Sequence, residues 1–142
     1  MANDLPITTS EWEVMRIVWT LEKATSSEII NLLVKKRTWK ASTVKTLIGR
    51  LVQKGMLTAT KEGHTNTYQC AIAERTAMQE EATRLFKNMC AMKNGKVLAE
   101  LIQEIQLSKS DIQKLQDALT AKEQTAPDQV ACNCIPKEET TE

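Results

Sequence analysis

A chain of 142 residues with a formal net charge of +1 and only 4% aromatics fits one small domain with a helical appendage better than two full domains, and it lacks an aromatic surface for stacking single-stranded RNA. No apolar run approaches the roughly 20 residues of a membrane helix, and the N-terminus has neither the basic start nor the apolar stretch of a signal peptide. The expectation is therefore a cytoplasmic protein without a membrane partner, whose four cysteines are thiols or metal ligands rather than a disulfide framework.

The first helix is expected to start at Thr8-Thr9-Ser10-Glu11, which has capping-box form, with Ile7 and Trp12 placed as a hydrophobic staple. Trp12, Val14, Met15, Ile17, Val18, Trp19 and Leu21 leave it little polar surface, so it should be buried on most sides. A second capping box, Thr25-Ser26-Ser27-Glu28, opens a short helix that ends in Lys35-Lys36-Arg37, cations that suit a helix C-terminus. A third helix runs from about Ala41 to Lys54. Val44, Leu47, Ile48 and Leu51 form its buried stripe, and Gly55 is a plausible left-handed cap. Leu57 to Lys61 and Thr65 to Gln69 read as strands of a hairpin turning at Glu62-Gly63-His64. Three short helices followed by a hairpin is the order of a winged helix.

Three more helices are expected: Glu74 to Met92, Lys96 to Gln106, and one capped by Ser108-Lys109-Ser110-Asp111. Their apolar stripes, which include Leu85, Phe86, Leu101, Ile105, Leu115 and Leu119, have no obvious partner in so short a region and read as a dimer interface. From Thr120 onward the chain is polar and expected to be flexible. The fold class is thus mainly α with a small β-hairpin: a winged helix-turn-helix DNA-binding domain over 1–72, a helical dimerisation region over 73–122, and a tail over 123–142 carrying a Cys-x-Cys motif.

Between Ile29 and Lys61 the basic residues are Lys35, Lys36, Arg37, Lys40, Lys45, Arg50, Lys54 and Lys61, with no Asp or Glu among them, whereas the chain after Cys70 is acidic. A basic segment inside a near-neutral chain is a footprint for a polyanion. The outward face of the third helix carries Ser42, Thr43, Lys45, Thr46, Gly49 and Arg50. Lys and Arg suit guanine O6 and N7, while hydroxyls and methyls complement other base edges. Lys61 and His64 belong to the wing, where Lys61 can reach a phosphate and a lone exposed His is inert. Trp12, Trp19 and Trp39 read as core. One His, no phosphate-cradling glycine loop and no nucleophile with a base partner argue against an enzyme and against a small organic substrate.

The segment Ile7 to Trp19, Trp39, the run Ser42-Thr43-Val44-Lys45-Thr46-Leu47-Ile48-Gly49-Arg50-Leu51, Lys54-Gly55 and Tyr68 together resemble the BlaI/MecI/CopY family of repressors. The resemblance implies a homodimer that represses transcription on double-stranded operator DNA, at an inverted repeat of the form TACA-nn-TGTA. It also implies that Thr43, Lys45 and Thr46 lie nearest the bases and that Arg50 holds a phosphate. The family divides by signal. Its penicillinase branch is inactivated by proteolysis at an Asn-Phe bond, and here the only Phe, Phe86, follows Leu85. Its copper branch carries two C-terminal Cys-x-Cys motifs, zinc supporting the DNA-bound form and copper displacing it. Cys132-Asn133-Cys134 resembles the first motif, and the second is absent.

Soft thiolates select Cu(I) and also suit Zn(II). The expectation is that Cys132 and Cys134 bind Cu(I), with Zn(II) as second candidate, and that copper releases the repressor from copper-homeostasis genes. A four-thiolate site would have to bridge the dimer. Met89, Cys90 and Met92 resemble a soft-metal cluster but read as core packing, and Cys70 as a buried thiol. Two alternatives stay open: a β-lactam-type repressor inactivated by proteolysis, and a protein-only dimerisation module.

Overall fold

The computed structural model describes residues 6–137. In chain order the elements are α1 (Thr9–Leu21), β1 (Ala24–Thr25), α2 (Ser26–Lys36), α3 (Ala41–Gln53), β2 (Leu57–Glu62), β3 (Thr65–Cys70), α4 (Glu74–Lys87), a 3-10 turn (Ala91–Lys93), α5 (Asn94–Glu104) and α6 (Lys109–Glu123). The chain divides into two compact units, with the division between Glu81 and Ala82.

In the first unit the helix starts follow local chemistry. Thr8 caps α1 and Thr25 caps α2, each in a reciprocal capping box with Glu11 or Glu28. α3 ends in a Schellman motif. Gly55 takes φ +75, its N–H donates to the Val52 carbonyl at 3.0 Å, and the Met56 N–H donates to the Leu51 carbonyl at 2.9 Å. The core is the inward stripe of α3 (Val44, Leu47, Ile48, Leu51) against Val14, Met15 and Val18 of α1 and Ile29 and Leu33 of α2. Trp19 and Trp39 pack on its edge, and the Trp19 indole N–H donates to the Ile72 carbonyl at 3.0 Å.

The hairpin turns through Gly63 and His64, with Glu62 paired to Thr65. Gly63 has φ +65 and His64 does not share a positive φ, the pattern of a two-residue turn with glycine at its first central position. The sheet has one strand more than the sequence suggests. Ala24 and Thr25 pair antiparallel with Tyr68 and Thr67, giving the order β1-β3-β2. This fastens the start of α2 to the wing, and Lys23 pairs with Glu62 beside it.

In the second unit α4 stops at Lys87, five residues short of the expected Met92, and the chain breaks before a 3-10 turn and α5. α5 starts at Asn94 rather than Lys96 and ends at Glu104. Ser108 caps α6 in a capping box with Asp111, as its sequence suggests. No residue from 82 to 137 is buried. No helix among the described residues is long and apolar enough to cross a membrane.

Candidate nucleic-acid interface and metal centre

Ser42, Thr43, Lys45, Thr46 and Arg50 all lie exposed on α3, opposite its buried stripe, and Lys61 is exposed on β2. A groove of about 350 Å³ beside this face is lined by Ser26, Lys45, Gly49 and Tyr68 among others. The Thr46 hydroxyl donates to the Ser42 carbonyl at 3.0 Å. Its proton is thereby occupied, leaving a methyl and oxygen lone pairs facing outward. Gly49 is open on its outer side, since a Cβ there would meet nothing within 4 Å.

The basic segment is smaller as a free surface than its sequence suggests, because two glutamates on α1 neutralise part of it. Glu13 pairs with Arg37 at 2.7 Å, Lys36 at 3.0 Å and Arg16 at 3.8 Å. Its carboxyl is held below the usual range by hydrogen bonds from Arg37 and then Lys36, against a smaller opposing effect of burial. Glu11, at 0% exposure, pairs with Lys54 at 2.6 Å. Burial raises its pKa, but hydrogen bonds from Lys54 and Thr8 outweigh that and the net shift is downward. Lys36, Arg37 and Lys54 therefore tie α1 to the ends of α2 and α3. Among the described residues Lys35, Lys40, Lys45, Arg50 and Lys61 have no carboxylate partner.

In the second unit the structure corrects the reading of the cysteines. Cys90 is not core packing: Met89 and Met92 beside it are 40% and 53% exposed. Its Sγ lies with those of Cys132 and Cys134 in a group whose members are all within 4.8 Å of one another. The break after α4 makes this possible. Cys90 is the residue that precedes the 3-10 turn, and its carbonyl accepts from the Lys93 N–H at 3.0 Å. The Asn94 side-chain amide donates to the Phe86 carbonyl at 3.1 Å and holds the elbow. The segment after α6 is fastened here as well, since the Ala91 N–H donates to Asn133 Oδ1 at 3.0 Å. Cys132, Asn133 and Cys134 thus lie against the α4–α5 elbow.

Cys90 and Cys134 are shifted in opposite directions. Cys90 is pulled down to about 7, chiefly by a hydrogen bond from the Cys134 thiol, with further donors at Cys132 and the Met92 and Lys93 amides. Cys134 is pushed up to about 11 because its proton is held between Cys132 and Cys90. Three soft donors with one thiolate already favoured fit Cu(I). They fall one ligand short of the four that a structural zinc site takes. Cys70 is separate in character: half-buried, with its thiol against the Met15 carbonyl and pushed up to about 12 by burial and then by Glu74.

The family model that matches residues 7–121 is that of the penicillinase repressor. A 16.5 kDa protein from the ptsI 3′ region of Latilactobacillus sakei, itself uncharacterised, is 52% identical over 134 residues, 94% of this chain and 92% of that one. The methicillin resistance regulatory protein MecI of Mammaliicoccus sciuri is 26% identical over 116 residues, 82% of this chain and 94% of its own. Among solved structures, the monomeric form of Bacillus licheniformis BlaI in complex with the blaP half-operator is 35% identical, over 52% of this chain and 90% of that one, with a TM-score of 0.47.

Proposed function

Because the chain belongs to the penicillinase-repressor family of transcriptional repressors, we propose that it acts as a homodimer on a short inverted-repeat operator and is released from it by Cu(I). In this reading α3 enters the major groove. Thr43, Lys45 and Thr46 face base edges with Ser42 beside them, and Arg50 and Lys61 meet phosphates. What supports it is the exposure of these side chains on one helix face and on the wing, with Lys45, Arg50 and Lys61 lacking acidic partners. Lys45→Ala should cost about 1–3 kcal/mol on the operator and loosen preference at one base position. Arg50→Ala should weaken operator and scrambled duplex alike and flatten the salt dependence. Fluorescence anisotropy on both duplexes at several salt concentrations checks this. Wild-type binding by both variants would remove α3 from the interface.

The homodimer is supported by the absence of any buried residue from 82 to 137. A helical unit with no core of its own needs a second surface. Leu98 and Ile102 on α5, Ile105 at its C-cap, and Ile112, Leu115 and Leu119 on α6 are large and exposed. The domain plan is then a reading head over 1–72, a dimerisation region over 73–122 and a thiol-bearing segment beyond. The fragment 1–81, which retains the first unit whole, should sediment as a folded monomer while the full chain sediments as a dimer. It should bind the operator more weakly, because joining two half-site readers raises effective concentration. A fragment that stays a tight dimer would place the interface in the winged helix instead.

The copper response is carried by one observation, the three thiol sulfurs within 4.8 Å of one another in a single chain. Cys90, Cys132 and Cys134 would hold the ion without a second chain, Cys90 adding a third thiolate to the Cys-x-Cys pair. Bound Cu(I) would supply strong soft-ligand bonds joining the α4–α5 elbow to the segment after α6. Its effect on DNA must come from different affinities for two protein states, typically about 1–3 kcal/mol. The test is operator anisotropy titrated separately with Cu(I) and Zn(II). Release is expected with Cu(I), and an operator complex that persists through the copper titration would reject the reading.

A further inference from the structure

The Sγ atoms of Cys90 and Cys132 lie 3.6 Å apart although the residues are 42 positions apart in sequence. A disulfide needs about 2.05 Å between sulfurs, so closure requires a shift of only about 1.5 Å. The partner that would move is well placed for it: Cys132 is exposed and lies in a segment without helix or strand. Asn133, next to it, is held to the Ala91 amide, which keeps the encounter local to the chain. We propose that in the metal-free protein a hydroperoxide converts Cys90 and Cys132 to a reversible disulfide, and that this bond makes the repressor unable to take Cu(I). The second half rests on the copper reading above; the first does not.

The chemistry balances with the hydroperoxide as the only co-reactant. The Cys90 sulfur attacks the terminal peroxide oxygen. An S–O bond forms, the O–O bond breaks, and the leaving alkoxide or hydroxide takes up a proton. The Cys132 sulfur then attacks the sulfenic sulfur. The S–S bond forms, the S–O bond breaks, and the departing hydroxide leaves as water with the Cys132 proton. The two thiols lose two electrons together and the peroxide gains two. Solvent-accessible cysteines beside a resolving thiol follow this route; Cys90 is partly exposed and Cys132 exposed, and disulfides in a reducing compartment are characteristically transient and redox-sensing. Cys132 is assigned as the resolving thiol because its Sγ lies 3.6 Å from that of Cys90. Joining Cys132 to Cys134 would close a ring over the single residue Asn133.

The experiment uses the full chain, metal-free and dilute, treated with a small excess of hydrogen peroxide and mapped by non-reducing peptide mass spectrometry. Cys132 and Cys134 fall in one tryptic peptide, so Cys134→Ser is mapped alongside wild type. A peptide pair joining Cys90 to Cys132 is expected in that variant, with Cys70 still reduced and the link undone by dithiothreitol. In wild type, competition with a chromophoric Cu(I) chelator should show copper binding lost on oxidation and regained on reduction. Cys90 recovered as an uncross-linked sulfinic acid, or cross-links running only between chains, would overturn the disulfide. If the link forms but the reduced protein also fails to compete for Cu(I), the copper reading fails and the disulfide stands. If the reduced protein competes and no link forms, the reverse holds.

Discussion

Cys90→Ser should lower Cu(I) affinity by at least about 100-fold, since even outer-shell changes at metal sites cost about 10–100-fold. Serine keeps the size and polarity of the residue that opens the 3-10 turn but replaces a soft donor with a hard one. Two soft ligands then remain, Cys132 and Cys134. Competition against a chromophoric Cu(I) chelator measures the loss, circular dichroism establishes that the variant is folded, and Cys70→Ser serves as a control. The experiment separates two architectures. Sequence spacing alone suggests Cys-x-Cys pairs from two chains meeting across the dimer. The structure gathers three sulfurs in one chain. In the first case Cys90→Ser binds copper like wild type and affinity depends on protein concentration; in the second it loses copper and wild-type affinity is independent of dimer formation.

The difference between those two architectures marks where sequence reading stops. Capping boxes at Thr8, Thr25 and Ser108 are legible because both partners sit three residues apart. The α3 stripe is legible because one helix face repeats, and the Gly55 cap because a positive φ favours glycine. β1 is not legible. It is two residues long, and its only evidence is pairing with Tyr68 and Thr67, some 40 residues away. The end of α4 is missed for another reason. Met89 continues the helical spacing whether or not the helix does, and the usable signals were Asn88 and the Asn94-Gly95 pair. Once that helix is drawn through Met92, Cys90 falls on a helix and the tail has nothing to meet. The basic segment shows the same limit in charge. Its eight cations are visible in the sequence, but Glu11 and Glu13 precede them by 22 residues or more, and only the fold brings them to Lys36, Arg37 and Lys54.

Lys54→Met should destabilise the protein by about 3 kcal/mol at neutral pH, measured as a fall in the urea midpoint at unchanged slope. The cause is Glu11. Its side chain is 0% exposed, its Oε1 accepts from Lys54 Nζ at 2.6 Å and from the Thr8 N–H at 3.1 Å, and its Oε2 has no hydrogen-bond partner. Removing the lysine leaves a desolvated carboxylate with only the capping-box donors. The loss falls at the low end of the range for a broken buried pair, because the Lys54 side chain itself is 16% exposed and water reaches it. The pH dependence gives the prediction its signature. In wild type the folded-state pKa of Glu11 lies below its ordinary 4.5, so its contribution is fully present above the unfolded value and is lost as pH falls through the folded one. In the variant burial is opposed only by the Thr8 hydrogen bonds, the folded pKa rises, and the carboxyl is tolerated best when protonated. The gap between wild type and Lys54→Met should therefore be widest at neutral pH, begin to narrow as pH falls through the variant's raised Glu11 pKa, and go on narrowing until it passes the lowered wild-type value. Glu11→Gln in the Lys54→Met background should recover much of the loss, since a neutral amide can still accept from the Thr8 N–H. A loss under about 1 kcal/mol, the range of surface ion pairs, with no pH dependence would mean that Glu11 is hydrated in solution and that Lys54 belongs with the free cations of the DNA face.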